Sequence, residues 1–297
     1  MKCDLCPRKC LVDRKKGEKG ICGQTENLKV ARAALHFWEE PCISGDAGSG
    51  AVFFSGCPLH CVFCQNENIA NGTVGKEISL ERLVDIFLEL QEKGANNINL
   101  VTPGHFVPQI VKALDQARKE GLTLPVVYNT SSYETVDTIK MLEGYVDIYL
   151  PDFKYMSPVL SKKYSHAPDY AEVAKAAIAE MVRQTGKAVF VNGDEDNLIL
   201  SGTIVRHLTL PGCMADSMQI LKYLHDTYGD KIYISIMNQF TPLSNLEKYP
   251  ELNRRITDEE YETLVDYAIE IGIENGFIQE GDTAEESFIP AFDCEGV

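Results

Sequence analysis

The 297-residue chain is 44% hydrophobic, which is enough for one substantial core with a small module attached. Its 44 Asp and Glu outnumber 28 Lys and Arg, and the net charge of -16 argues against nucleic-acid binding, which needs clustered basic side chains. No apolar stretch is long enough to span a membrane, and the N-terminus lacks the apolar stretch of a signal peptide. We therefore expect a cytoplasmic protein with neither a membrane nor a nucleic-acid partner.

Cysteines are concentrated at the N-terminus, where eight of the ten fall within the first 64 residues. In a reducing compartment, closely spaced cysteines favour metal binding over disulfides. The first three follow the pattern C-x-x-C-x-x-x-C, and a fourth comes after eleven further residues: Cys3, Cys6, Cys10 and Cys22. Four thiolates suit a zinc ion or an auxiliary iron–sulfur cluster, and the spacing does not choose between them. Residues 1–48 are predicted to form a Cys-rich metal-binding leader, and residues 49–297 the core.

From residue 49 onward, short apolar runs alternate with amphipathic segments. The six apolar runs that predict strands cover residues 52–54, 98–101, 125–128, 146–150, 203–210 and 232–236. Helical spacing is clearest between Leu80 and Leu88, and Thr257 with Glu260 predicts a capping box at the start of a C-terminal helix. Such alternation indicates a parallel sheet with right-handed crossovers. The predicted fold is α/β, a partial TIM-like (β/α)6 barrel.

The segment SGCPLHCVFCQN follows the first predicted strand and contains C-x-x-x-C-x-x-C at Cys57, Cys61 and Cys64. Three thiolates bind three irons of a cubane cluster and leave the fourth iron without a protein ligand. A structural zinc site would require a fourth ligand, for which the loop offers His60.

This C-x-x-x-C-x-aromatic-C motif after a first strand resembles the signature of radical S-adenosylmethionine (SAM) enzymes. The resemblance implies that SAM chelates the open iron of a 4Fe-4S cluster and that Phe63 lies near its adenine. It also implies that one electron cleaves SAM to methionine and a 5'-deoxyadenosyl radical, which abstracts hydrogen from a substrate. The electron donor implied is a carrier such as flavodoxin or ferredoxin.

Residues 50 to about 245 are similar, more narrowly, to pyruvate formate-lyase activating enzyme and related glycyl-radical activases. Three segments carry this similarity: YNTSSYE, LPDFKYM and IVRHLTLPGCMADS. By position they imply that Asn129, Thr130 and Asp152 border the methionyl carboxylate of SAM and a monovalent-cation site. Lys154 and Arg206 are implied as catalytic charged groups near SAM or the substrate. The Cys-rich leader resembles that of uncharacterised activase-like radical SAM proteins.

Some positions depart from the activase pattern. Asn129 stands where the activases carry Asp, which removes a negative charge from the cation site. Thr102 begins a Thr-Pro-Gly-His segment in place of Gly-Gly-Glu, and backbone carbonyls there can still accept from the amino group of SAM. His105, in the same segment, is either a helix cap or a substrate contact. Gln239 lies near the position of a SAM-contacting His and is implied as a contact to ribose or adenine.

Three functions remain open at this point. The first is an activase that abstracts hydrogen from a glycine of a partner glycyl-radical enzyme. The second is a radical SAM enzyme that modifies a small molecule or peptide. The third is a noncatalytic iron–sulfur or zinc protein, which the combination of the Cys motif with Asp152, Lys154 and Arg206 disfavours.

Overall fold

Ten short strands form one sheet at the centre of the protein, in a computed structural model that describes residues 2–195, 197–242, 246–279, 290 and 292–297. The strands are β1 Leu28–His36, β2 Ser49–Phe54, β3 Lys76–Ile78, β4 Ile98–Val101, β5 Val126–Thr130, β6 Ile148–Pro151, β7 Val189–Phe190, β8 Ile199–Leu208, β9 Tyr233–Met237 and β10 Gly276–Ile278. The helices are α1 Pro41–Ser44, α2 Glu67–Ala70, α3 Leu80–Glu92, α4 Val107–Lys119, α5 Val136–Lys140, α6 Pro158–Ser165, α7 Tyr170–Thr185, α8 Met214–Tyr228 and α9 Asp258–Glu270. No helix in the described ranges is long and apolar enough to cross a membrane.

The sheet runs in the order β10-β9-β8-β6-β5-β4-β2-β1-β3. Every pair from β2 to β10 along this order is parallel, whereas β1 pairs antiparallel with both β2 and β3. The ends of the order do not meet, so the predicted partial TIM-like barrel is confirmed. All six predicted strands are present, and β10 adds a seventh parallel strand that the sequence did not indicate.

The leader and the sheet are not separate in sequence. The strand β1 lies inside the predicted leader, and its residues from Val30 to His36 pair with β2. The division at residue 48 stays a prediction, but the sheet begins at Leu28, because β1 pairs with both β2 and β3.

Alternation along the parallel strands separates an outer face from an inner face. Val126 and Tyr128 of β5 point outward, into the core formed with the amphipathic helices α3 and α4. Val127 of β5 and Ile148 of β6 point inward and pack with Ile43 of α1. Because successive side chains of a strand point to opposite faces, α1 must lie within the curve of the sheet. It forms the floor of the barrel.

The outer helices begin and end where their sequences predict. Ser79 caps α3 through its side chain, and Gly94, with φ 83°, follows its end. The capping box of Thr257 and Glu260 at the start of α9 is present, with each side chain bonded to the backbone of the other residue.

Replacing Ile43 by Ala should destabilise the protein, because Ile43 is fully buried between α1 and the inner face of the sheet. We expect a loss of about 2–5 kcal/mol in the free energy of unfolding, measured by urea denaturation. The matched control is Ile269→Ala on α9, where the side chain is 67% exposed and the loss should stay within about 0.5 kcal/mol. Equal losses in the two variants would contradict the placement of α1.

Candidate functional site

A loop between β2 and α2 carries Cys57, Cys61 and Cys64, here called the cluster triad. All three line a cavity of about 520 Å³. The loop leaves the strand through Gly56, whose φ of 96° and whose position leave no room for a side chain: a Cβ would lie 2.5 Å from the carbonyl oxygen of Cys22. The tight turn therefore brings the cluster triad against the leader as well as over the barrel.

The three thiols lie in a dry site and influence one another. Burial and, after it, the neighbouring thiols raise the pKa of Cys57 to about 11 and that of Cys64 to about 12. The Ser165 hydroxyl donates to Cys61 Sγ at 3.0 Å, and the ammonium of Lys154 lowers the pKa of Cys61 against the larger effect of burial. Buried thiolates that repel one another need a positive partner, which iron supplies.

The donor set fits a cubane cluster. Among the described residues, no three His, Cys, Asp or Glu side chains already surround one point where a single ion could bind. A cubane does not require such a point, because each thiolate binds a different iron. His60, the alternative fourth zinc ligand, is committed elsewhere: its Nε2 contacts the carbonyl oxygen of Ile21 at 2.7 Å and its Nδ1 contacts Asn71 Oδ1 at 3.0 Å.

The Arg206 network, formed by Arg206, Asp152, Asn129, Glu39 and Lys154, faces the cluster triad across the cavity. The guanidinium donates from Nε to Asp152 Oδ1 at 3.0 Å, from Nη1 to Glu39 Oε2 at 3.0 Å and from Nη2 to Asn129 Oδ1 at 2.6 Å. Lys154 Nζ donates to the other oxygen of Asp152 at 2.7 Å. One arginine thus ties β8 to β5, to the residue after β6 and to the β1–β2 connection.

Charge balance within this network keeps its members ionised. Burial opposes ionisation of Asp152, but the cations of Lys154 and Arg206 outweigh it and lower the pKa of the carboxyl. Burial likewise disfavours the charged forms of Lys154 and Arg206, yet the carboxylate of Asp152 holds the pKa of each above its ordinary value. The segment after β6 is held by Tyr170, whose hydroxyl donates to the Asp152 carbonyl oxygen at 2.9 Å and accepts from Lys154 N at 3.0 Å.

The remaining predicted cofactor contacts also line the cavity. Phe63 is buried with its ring edge-on to Phe240, at 5.9 Å between centroids. Thr102 has a φ of 55° and donates its N–H to the carbonyl oxygen of Asn129 at 2.9 Å. The Thr130 hydroxyl donates a hydrogen bond to the Glu134 carboxylate.

Two further predicted positions have clear surroundings. The backbone carbonyl oxygen of Gln239 accepts a hydrogen bond from the side chain of Gln65 at 3.1 Å. The side-chain oxygen of Gln239 accepts from Gln279 at 3.3 Å. His105 is buried with Nε2 on the Ser55 carbonyl oxygen at 2.7 Å, and burial lowers its pKa to about 3. Because His105 does not line the cavity, the structure supports a structural role for it. The roles of all the predicted cofactor residues stay predictions.

Sequence reasoning missed Glu39 and Glu40, which lie directly before α1 at the floor of the barrel. Both line the cavity, and Glu40 is only 8% exposed. The signal available was the pair of adjacent carboxyls directly before Pro41, at the start of a helix that proves to be buried. Nothing in the local sequence shows that this helix turns inward.

The leader holds its four cysteines together. Burial, together with the thiols of Cys22, Cys10 and Cys3, raises the pKa of Cys6 to about 12, which places the four within electrostatic reach of one another. Cys42 is apart from them, in the core beneath the barrel floor.

Arg8, between two leader cysteines, joins the leader to the cluster triad. Its Nε donates to the carbonyl oxygen of Pro58 at 2.9 Å, and its Nη atoms donate to those of Ser165 and His166 at 3.1 and 2.6 Å. Its guanidinium also stacks over the ring of Tyr133, 5.0 Å from the centroid. Pro58 lies in the cluster loop, and Ser165 is the residue that donates to Cys61.

A family comparison gives the class of this part of the chain. Residues 51–197, which include the cluster triad, match the family model of the radical SAM superfamily. A radical SAM domain implies a 4Fe-4S cluster and SAM.

A curated relative is an uncharacterised protein of Methanocaldococcus jannaschii, MJ0674. It is 27% identical over 273 residues, which cover 90% of this chain and 74% of that protein. Because the match covers most of this chain, it includes parts of both the leader and the core.

Solved structures share the fold at low identity. SuiB of Streptococcus suis bound to S-adenosylmethionine is 13% identical with a TM-score of 0.52, over 76% of this chain and 48% of that one. HydG, a maturase of the [FeFe]-hydrogenase, is 15% identical with a TM-score of 0.51, over 78% and 52%. Methylornithine synthase, PylB, is 15% identical with a TM-score of 0.52, over 75% and 60%. This chain spans about half the length of the first two.

Replacing Arg206 by Met should cost roughly 3–5 kcal/mol of unfolding free energy, because Glu39 would remain as a buried carboxylate without its cation. Urea denaturation measures the loss. Adding Glu39→Gln to the Arg206→Met variant should restore part of it, since no lone charge remains. Lys222→Met, at an ion pair on α8 whose two side chains are both exposed, is the control and should show no measurable loss. An Arg206→Met variant as stable as this control would contradict the structural role of the network.

Proposed function

We propose that the chain cleaves SAM reductively at a 4Fe-4S cluster held by the cluster triad, and that the resulting radical abstracts hydrogen from a substrate bound in the same cavity. The observation that carries this proposal is that the cluster triad, Phe63 and the Arg206 network all line one cavity of about 520 Å³. A cavity of this size lies within the range of about 300–1,000 Å³ typical of small-molecule sites.

Each residue that lines the cavity has a role that follows from its position. When bound, the cluster supplies the electron that splits SAM into methionine and a 5'-deoxyadenosyl radical. Phe63 offers an apolar ring for the adenine, and its burial keeps water from that side of the cavity. Lys154 uses one of its three N–H groups on Asp152 and retains donors for a carboxylate of SAM or of the substrate. Arg206 holds Asp152 and Asn129 in place, and Thr102 presents backbone toward the bound amino group.

The substrate is best described as a small molecule or a peptide side chain. The supporting observation is the floor of the cavity, where Glu39 and Glu40 add carboxyl groups that the activase-like segments do not include. A glycine of a partner glycyl-radical enzyme is the second candidate, supported by the similarity of the segments around Asn129, Asp152 and Arg206 to those of the activases. We further propose an electron carrier such as flavodoxin or ferredoxin as the reductant.

Two more ligands belong to the proposal. The four leader cysteines would hold zinc or an auxiliary iron–sulfur cluster, because their thiols lie within electrostatic reach of one another. A single zinc ion would require the thiols to move around one common point. A monovalent cation near Asp152 has weaker support, since Arg206 and Lys154 already occupy both oxygens of that carboxylate.

Anaerobically reconstituted protein given dithionite and SAM should release 5'-deoxyadenosine, detected by liquid chromatography. Cys61→Ala should abolish the release and remove the iron of this cluster, about four atoms per chain, because two thiolates cannot hold three irons. Cys294→Ala, a thiol away from the cavity, is the matched control and should retain both. Wild-type protein with an intact cluster that leaves SAM uncleaved would contradict the proposed function.

The two substrate candidates differ in one measurement. A protein substrate would acquire a glycyl radical, visible by electron paramagnetic resonance after mixing with a partner that bears a glycyl-radical segment. A small molecule or peptide would instead increase 5'-deoxyadenosine release without that signal.

Cys6→Ser should lose the second metal while keeping the cluster of the cluster triad, because its thiol is one of the four leader ligands. Elemental analysis for iron and zinc measures both, and wild-type protein should contain either about one zinc or extra iron per chain. Cys294→Ser serves as the control. A Cys6→Ser variant with full metal content and unchanged thermal stability would overturn the leader site.

A further inference from the structure

Glu40 is the one cavity-lining carboxyl that the network around Arg206 leaves aside among the described residues. Its side chain is 8% exposed, and its Oε2 has no hydrogen-bond partner although it is buried. A buried carboxyl oxygen without a hydrogen-bond partner is energetically unfavourable, so such an atom indicates the binding site of a ligand that supplies the partner.

The surrounding charges indicate the sign of that group. The charged side chains that line the cavity in the described ranges are three carboxyls and two cations: Glu39, Glu40, Asp152, Lys154 and Arg206. Arg206 binds Glu39 and Asp152, and Lys154 binds Asp152. The third carboxyl, Glu40, therefore has no cation of its own in direct contact.

The electrostatics of Glu40 agree with this balance. Burial raises the pKa of its carboxyl, and the adjacent carboxylate of Glu39 raises it further. The charge of Arg206 and a hydrogen bond from Ser235 oppose the rise without cancelling it. Cys42 also lies within electrostatic reach of Glu40. A cation bound at Oε2 would restore the balance that the protein alone does not supply.

Glu40 lies beside Ser235, a residue within β9. Gln239, implied as a contact to ribose or adenine of SAM, lies beyond the end of the same strand. Glu40 is therefore separate from the residues implied in binding SAM, although it lines the same cavity.

We propose that Glu40 binds a positively charged nitrogen group of the substrate, an ammonium or a guanidinium. This inference rests on the proposed function and names the substrate class for it: a cationic amine or a peptide with a basic side chain. The group would sit on the barrel floor and orient the carbon that loses hydrogen toward the cluster triad.

The test uses four probes with alkyl chains of similar length on the reconstituted protein with SAM bound. They are n-butylguanidinium, n-butylammonium, neutral n-butylurea and anionic butyrate, and ligand-observed NMR measures their binding. We expect at least one of the two cations to bind at least about tenfold more tightly than butylurea, because only a cation can pair with Glu40. The stronger cation then identifies the nitrogen group.

Glu40→Gln should weaken the preferred cation at least about 30-fold, the loss expected when a buried charge pair loses one partner. Glu40→Asp keeps the charge and should retain part of the binding. Glu172→Gln, an exposed carboxyl on α7, is the matched control and should leave all four affinities unchanged. Thermal melting and SAM affinity, measured on each variant, establish that Glu40→Gln is folded.

The inference is overturned if neither cation binds the wild-type protein, if butylurea or butyrate binds as tightly, or if Glu40→Gln binds the cations unchanged. It is also overturned if Glu40→Gln weakens SAM as much as the cations, since the occupant would then be SAM itself. Release of 5'-deoxyadenosine from the same preparations separates the two proposals. Cation binding without SAM cleavage would refute the proposed function alone, and cleavage without cation binding would refute the site alone.

Discussion

The three-way hydrogen bonding of Arg206 is the interaction on which the cavity depends. Its guanidinium reaches β5 through Asn129, the end of β6 through Asp152 and the barrel floor through Glu39. Only an arginine presents donors in a planar fork that can satisfy three acceptors at once. The strands β5, β6 and β8 are neighbours in the sheet, so the guanidinium adds a side-chain connection at their carboxyl ends and links them to the barrel floor.

The alternation of side chains explains how so many polar groups reach one place. Asn129, Asp152 and Arg206 each lie two positions after an inward-facing apolar residue, on β5, after β6 and on β8. The lower part of the barrel is thus filled by apolar side chains and α1, and the polar groups begin where the strands end. A parallel sheet gathers these ends at one edge, so residues far apart in sequence share a cavity.

Local sequence was sufficient for the features that repeat or have fixed spacing. The six parallel strands, the capping box at Thr257 and the cluster triad follow from periodicity or from spacing within a few residues. The strands β3 and β10 are three residues each and are defined by the strand that they pair with, which no local pattern contains. Glu39 and Glu40 were missed for a similar reason. Their role depends on α1 turning into the barrel, and that direction is decided by contacts with β5 and β6.

The contacts of Arg8 give the N-terminus a part in the radical site. A residue near the start of the chain holds one carbonyl of the cluster loop and the backbone of Ser165, whose hydroxyl donates to Cys61. Removal of the leader by proteolysis would therefore also affect the cluster loop. It would loosen the wall that shelters the iron ligands, so that integrity of the first few residues becomes a condition for keeping the cluster from solvent and oxygen.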